Sequence, residues 1–445
     1  MEEPMSSIKK KDLKYNLHSW SAQGKLDPIV ITKAEGIYFW DEEGKRYADM
    51  SSQLVNSNLG HGNKAIADAI AKQAHELSFI GPSFALGCKS DAAEAIVKAT
   101  GFADGAKVFF ANAGAEANEN AIKIARQYTG KYKIFSQYRS YHGSSAGSGM
   151  LTGEPRRFFN EPGNAGFIKY DVPYPYRVPK ACHFENDDEI ADFYLELLEN
   201  QILYEGPDTI AAIWFESVVG SNGVIIAPVK WYQGVRALCD KYDILMVADE
   251  VMAGWYRTGK CFAFMNFGYE PDMITFAKGS TCGYVPLGGV VVQQKIAGFF
   301  DDHVLGCGLT YSGHPVGCAA AVATLDQYRE LDIENRMKPT SKLLAQTLDS
   351  FACTHPCVGE VRHIGLFSAV ELVKDKEERQ PLVPFGSDPD NIMGKIFTLL
   401  RDRGFWTYTH ENMIIVAPPL IITEDELRAQ LAILDDVLSQ VDEMI

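Results

Sequence analysis

Between residues 107 and 293 the sequence repeats a pattern that few folds can accommodate. Short, almost wholly apolar runs ("KVFFAN", "YKIFSQ", "AAIWFES", "DILMVADE", "DMITFAKG" and "GGVVVQ") alternate with stretches at helical spacing such as "EANENAIKIARQYTG" and "VKWYQGVRALCDKY". A strand that is apolar on both faces must be covered on both. The pattern therefore predicts an α/β fold with a mostly parallel sheet and helices on either side. Ligands of such sheets collect at the carboxyl ends of the strands. Four of the six runs end there in Asn112, Glu216, Asp249 and Lys278.

The flanking segments read differently. "GIYFWDEEGKRYADM" reads as a hairpin turning at Glu43-Gly44, and "KAIADAIAKQAHEL" as an amphipathic helix. After about residue 325 one long helical region leads into an α+β tail that closes with "TEDELRAQLAILDDVLSQV". The expected organisation is a large α/β domain over 61–325 and a smaller α+β domain over 326–445, to which an N-terminal segment, 1–60, contributes. A chain of 445 residues, 46% hydrophobic, supports cores of that size.

Charge and cysteine usage narrow the partners. With 42 basic against 58 acidic residues the formal charge is −16, which argues against nucleic acid or an anionic membrane as main partner. A small anion at a helix terminus is still compatible with it. The nine cysteines are scattered, and the close pair Cys353 and Cys357 in "CTHPC" has no second cluster to complete a metal site. No metal is expected, and free thiols suit a reducing compartment. The N-terminus lacks an apolar signal core, and no run approaches the roughly 18 apolar residues of a membrane helix, so a cytoplasmic location is expected.

Three stretches carry chemistry. In "FFANAGAEANENAIKIAR" a strand passes through Ala113-Gly114-Ala115 into a helix. Small residues there let backbone N–H groups approach an anion, although the same pattern serves as an ordinary strand-to-helix turn. In "LMVADEVMAGWYRTG" the adjacent Asp249 and Glu250 point to opposite sides if extended. A buried Asp249 needs a cationic or donor partner, unless it caps a helix. Lys278, at the tip of a buried strand, would be desolvated there and so available as a free amine, for imine formation or as a base. An anion-binding turn, a buried aspartate and such a lysine together match pyridoxal phosphate. The phosphate would take the helix N-terminus, the lysine the aldehyde carbon, and the aspartate would keep the pyridine nitrogen protonated. The competing stretch is "SYHGSSAGSG", where Gly143 to Gly147 fits a G-x-S-x-G elbow with Ser145 as nucleophile and Asp249 with His303 or His314 completing a hydrolase triad. An elbow wants a strand before its serine, and "YRSYHG" is polar and turn-like. Tyr141 reads better as an aromatic plate on a flat cofactor ring.

Taken in order, "ANAGAEANENAIKIAR", "SYHGSS", "WFESVVGSNGVIIAP", "ADEVMAGWYRTG", "TFAKGSTCGYVPLGG" and "GLTYSGHPVGCAAA" resemble the class III aminotransferases, pyridoxal-phosphate enzymes of fold type I. The resemblance covers nearly the whole chain. It implies that Lys278 binds the cofactor's aldehyde and Asp249 its pyridinium nitrogen. Tyr141 and Val251 would enclose the ring, the Gly114 and Ala115 amides would hold the phosphate, and His142 and Glu216 would lie close by. Thr310 would reach the phosphate of a neighbouring subunit in a homodimer or homotetramer with shared active sites. An amine donor and a keto-acid acceptor would be the substrates.

Three departures bear on substrate. Met252 stands where glutamine is common, Tyr256 where glycine is common, narrowing the entrance, and Tyr408 where many relatives carry a carboxylate-binding arginine. "SWSAQG", "TGEPRRFFNEPG" and "YPYR" resemble most the ω-amino-acid aminotransferases of the taurine type, which use pyruvate or 2-oxoglutarate as acceptor; β-alanine, 4-aminobutyrate and diamine donors are rivals. Trp20, Tyr408, Arg157 and Arg177 are the candidate substrate contacts.

Overall fold

The computed structural model of the chain describes residues 6–445, whose strands form three sheets. β1 (Ile31–Glu35) precedes the hairpin, which contributes β2 (Tyr38–Asp41) and β3 (Arg46–Asp49) to the same first sheet. A short strand from far along the chain, Phe405–Trp406, adds to β3 in parallel, so N- and C-terminal segments share this sheet.

The central sheet contains β4 (Lys107–Ala111), β5 (Lys133–Gln137), β6 (Phe167–Tyr170), β7 (Ile210–Glu216), β8 (Leu245–Asp249), β9 (Met273–Phe276) and β10 (Gly288–Val292). Their order is β4-β10-β9-β8-β7-β5-β6, with β10 antiparallel to both neighbours and the other pairings parallel. All six apolar runs are strands of this sheet. The seventh, β6, escapes the hydrophobic pattern because it is a short edge strand interrupted by Lys169.

Alternation along the strands supplies two cores. Leu245 and Val247 of β8 pack with Trp214, Met273 and Val290 beneath Ala117, Ala121 and Ile124 of the helix Gly114–Thr129. Met246 and Ala248 face the opposite side with Ile213, Phe215, Ile274 and Trp231. Each such side chain stabilises the fold by about 1.5–3 kcal/mol relative to exposure, so burial on both faces, more than strand propensity, fixes this sheet. Because only β10 runs the other way, the carboxyl ends of β4, β5, β7, β8 and β9 share one edge. Register puts Glu216, Asp249 and Thr275 side by side there.

The helical region expected as one run is three helices, Pro315–Glu330, Ile333–Arg336 and Lys338–Thr354. Asp332 adopts a left-handed backbone (φ +44°) that ends helical continuity, and Pro339 can only sit in a first turn. The third sheet follows, built on Val358–Ile364, Phe367–Asp375 and Met413–Val416. The helix Glu424–Asp442 closes the chain, its start fixed by a capping box between Thr423 and Glu426.

Candidate active site

The floor of the site is the row of strand ends. At the tip of β8 the chain leaves the sheet and its two carboxylates diverge. Asp249, 3% exposed, turns to the helix Gly114–Thr129. Its Oδ2 accepts from Asn118 Nδ2 (2.8 Å) and lies 2.7 Å from His142 Nδ1, while its Oδ1 accepts from Val251 N (2.9 Å). Asn118 is fixed in turn by Thr275 Oγ1 (2.9 Å) and by the His142 carbonyl (2.8 Å). A carboxylate offers about four lone-pair sites, so three donors leave roughly one for a further N–H. Glu250 faces away. It accepts from Ala263 N (2.7 Å), Phe264 N (3.0 Å) and Ser217, and burial pushes its pKa up to about 7.

Lys278 follows β9 in the left-handed region (φ +50°), which is costly for a residue with a Cβ and is held here by its surroundings. The next residue must be small: a Cβ on Gly279 would stand 2.7 Å from both Asn58 Nδ2 and Trp255 Cβ. Lys278 opens partly to the cleft. Burial lowers its ammonium pKa, against the pull of Glu216 and Asp249 and aided by the nearby charge of Arg156. Burial thus works against the charged form at this strand tip.

The helix Gly114–Thr129 begins without a side-chain cap, so its first N–H groups remain available to an anion. A Cβ on Gly114 would come within 2.8 Å of Val251 Cγ1, and one on Gly143 (φ +126°) within 2.7 Å of Ala115 Cβ; both glycines permit close approach around this turn. Tyr141 is placed by its backbone N–H, which donates to Glu216 Oε1 (2.8 Å); Glu216 Oε2 accepts from Gly220 N (2.9 Å), and burial raises the Glu216 pKa. His142 Nε2 is buried without a partner. The uncapped helix, the aspartate with room for another donor, the amine and the aromatic plate fit pyridoxal phosphate. Lys278, Asp249, Tyr141, His142, Glu216, Val251, Gly114 and Ala115 surround this edge, whereas Thr310 is exposed on the surface of the single chain.

The mouth differs from the sequence-based expectation. Arg157 points away from the cleft, paired with Glu161 (3.0 Å) and stacked on Phe158. Arg177 is spent on Glu371 (2.6 Å), which also binds Arg362 (2.7 Å). The arginine at the cleft is Arg156, whose guanidinium lies 3.9 Å over the Tyr141 ring and 5.5 Å from Trp20. Trp20 meets Tyr141 edge-on at 6.3 Å. Neighbours in a 3₁₀ turn point in different directions, and nothing in "EPRRFF" says which arginine faces inward. Tyr408 Oη is buried without a partner, and burial raises its pKa against the opposing charge of Arg156. Tyr256 does not narrow the entrance: its ring packs on Tyr328 (5.3 Å), and its φ of +69° accounts for glycine's suitability there.

The hydrolase constellation is absent among the described residues. Ser145 Oγ pairs with Ser148 Oγ (2.8 Å) at a helix start, His303 stacks on Phe299, and His314 caps the helix Pro315–Glu330. No strand leads into Ser145, so the elbow geometry cannot form.

Comparison with known proteins agrees with this geometry. The family model for aminotransferase class III matches residues 20–438. A taurine:2-oxoglutarate aminotransferase from Bifidobacterium kashiwanohense, solved with pyridoxal phosphate and glutamate, superposes with a TM-score of 0.95 at 48% identity, covering 100% of this chain and 99% of that one. An (S)-enantioselective ω-transaminase from Thermomicrobium roseum superposes with a TM-score of 0.90 at 35% identity, covering 98% of each chain. A probable gamma-aminobutyrate transaminase 4 from Oryza sativa subsp. japonica is 33% identical over 94% of this chain and 88% of its own length. With the fold, the strand-end site and these matches in agreement, the chain belongs to the class III aminotransferases, fold type I enzymes that use pyridoxal phosphate to move an amino group from an amine donor to a keto acid.

Proposed function

We propose that this enzyme transfers the amino group of a small ω-amino acid, with taurine the favoured donor, to 2-oxoglutarate, with pyruvate the rival acceptor. The observation that carries the reading is Arg156, a cation stacked on Tyr141 at the mouth, where an acid group of either substrate can meet it. Both substrates carry an acid, so one guanidinium serves both halves of the reaction. The 48% identity to the taurine:2-oxoglutarate enzyme supports taurine over the 4-aminobutyrate donors of the 33% identical plant proteins.

Bound pyridoxal phosphate supplies an aldehyde that takes up amines and an electron-poor ring that accepts an electron pair. The chain's residues do the rest. Lys278 Nζ, whose charge burial disfavours, would hold the aldehyde and would take the proton from the substrate carbon bearing nitrogen. Asp249, oriented by Asn118, His142 and Val251, would offer its carboxylate to the pyridine nitrogen. The uncapped helix at Gly114 and Ala115 would hold the phosphate, and Tyr141, secured by Glu216, and Val251 would cover the ring. Thr310 would serve a neighbouring subunit's phosphate in a homodimer or homotetramer. Pairing taurine, β-alanine, 4-aminobutyrate and a diamine each with 2-oxoglutarate and with pyruvate tests the assignment. Taurine with 2-oxoglutarate should give the highest kcat/KM, and a diamine as best donor would refute the acid-anchor reading.

A further inference from the structure

Behind Arg156 lies a chain of polar groups that the transfer reaction itself does not use. Arg156 donates from Nε to the buried carboxylate of Glu154 and from Nη2 to Ser221 Oγ (3.1 Å), leaving Nη1 without a partner among the described residues. Ser221 belongs to the tight turn that follows β7. Glu216 Oε2 holds one end of the turn through Gly220 N (2.9 Å), and Gly223 N closes it on the Gly220 carbonyl (3.1 Å). The other end is held from the C-terminal part of the chain. Arg362 Nε donates to the Gly223 carbonyl (2.7 Å), and His410 Nε2 lies 3.2 Å from Asn222 Oδ1. Asn222 is 3% exposed, and its Nδ2 reaches Ser221 Oγ at 3.5 Å. Packing limits the turn as well: a Cβ on Gly220 would collide with Met252 Sδ.

Glu371 ties Arg177 and Arg362 together beneath this turn. Arg177 thus contributes to the rigidity of the Arg362 support while remaining outside the cleft. Burial, with Arg156 and Arg139 adding to it, lowers the His410 pKa to about 4, so the imidazole is neutral at physiological pH. A neutral ring facing an amide oxygen must donate, which fixes the Nε2–H tautomer. A lysine or arginine in its place would add a second cation beside Arg156 and compete for the acid group.

We propose that His410 and Asn222 are positioning residues for acid-group recognition: they set the Gly220–Gly223 turn so that Ser221 aims the Arg156 guanidinium at the substrate acid. The proposal rests on the reading of Arg156 as acid anchor.

The test uses the pyridoxal-phosphate-loaded enzyme with taurine and 2-oxoglutarate. His410→Phe keeps a ring but loses the donor, and the expected result is a rise in KM of about five- to fifteenfold for both acids with kcat changed less than about twofold, as for one lost hydrogen bond. His410→Gln, which restores an N–H donor, should recover most of that loss, and Asn222→Ala should reproduce the defect without touching His410. In an Arg156→Ala background His410→Phe should add nothing further, because the group it aims is gone. Full additivity of the two changes, or a fall in kcat with KM unchanged, overturns the proposal. If Arg156→Ala raises KM for both acids while His410→Phe and Asn222→Ala do not, the positioning role alone fails. If Arg156→Ala leaves both KM values unchanged, the anchor reading and the proposal fall together.

Discussion

The floor and the mouth of the cleft are built by different physics. The floor is made of strand ends whose positions follow from a sheet buried on both faces: Glu216, Asp249 and Thr275 stand in one row because their strands are in register. Their partners, Asn118 and His142, are buried and hydrogen-bonded. The mouth is made of loops and 3₁₀ turns, with Trp20 56% exposed and Arg156 held by side-chain contacts alone among those the structure shows. A floor of this kind fixes a cofactor and a reaction type. A mouth of that kind adapts to substrates, since its residues can change without disturbing a ladder or a core.

The largest effect should come from the floor. Lys278→Ala is expected to abolish the protein's imine absorbance and lower turnover at least about 10³-fold, since a general base alone is worth roughly 10²–10⁴. Near wild-type transfer in this variant would remove Lys278 from the chemistry. Asp249→Asn is next. The amide cannot stabilise a pyridinium charge, and kcat should fall about 100-fold while cofactor is retained, measured by absorbance after dialysis. Full activity would mean that Asp249 only fastens β8 to the helix above it.

The mouth should answer in KM. Arg156→Lys keeps the charge but loses the fork and the stacking on Tyr141, and KM for 2-oxoglutarate should rise roughly tenfold with kcat little altered. Arg157→Lys, its neighbour paired with Glu161, is the control and should change neither constant appreciably. The reverse outcome would mean that the two arginines exchange places in solution.

The same contrast explains what the sequence can and cannot disclose. Continuous apolar runs must be covered on both faces, so six of the seven central strands and the strand-end residues are legible in the amino-acid sequence alone. The sense of β10 is not, because hydrophobicity carries no strand direction. Asn118 escapes notice because an asparagine inside a helix looks like surface until the sheet places it against Asp249. The sequence draws attention to Arg157 and Arg177 in place of Arg156 for a related reason: a turn has no side-chain period from which to read an inward face. Arg177 answers to Glu371, nearly two hundred residues away, and no local signal announces such a pair.

A side-chain cluster on the C-terminal helix separates loss of fold from loss of site. His355 bridges Asp442 (2.6 Å) and Asp435 (2.8 Å) of the C-terminal helix. Burial opposes its charge, but the two carboxylates outweigh it and raise the pKa above 6.5. A raised folded-state pKa gives stability that is complete below the unfolded value and fades as pH rises through the folded one. His355→Gln should therefore lower Tm at pH 6 more than at pH 9, with kcat and KM unchanged at a temperature well below Tm. A deficit that grows with pH would reverse the assigned sign.

The smallest effect is expected at Tyr408. Its hydroxyl is buried and unpartnered, which costs stability unless a ligand uses it. Two outcomes are separable in Tyr408→Phe. If the hydroxyl only packs against the mouth, the variant should be as stable as wild type or slightly more so, with donor KM within about twofold, because no hydrogen bond is lost. If the hydroxyl binds the acid group, donor KM should rise about five- to tenfold, the value of a single neutral hydrogen bond. The stacked guanidinium of Arg156 already supplies the charge that a phenol cannot, so the first outcome is expected. A loss at Tyr408 larger than that of Arg156→Lys would move acid recognition from the guanidinium to the phenol and, with it, the division between floor and mouth.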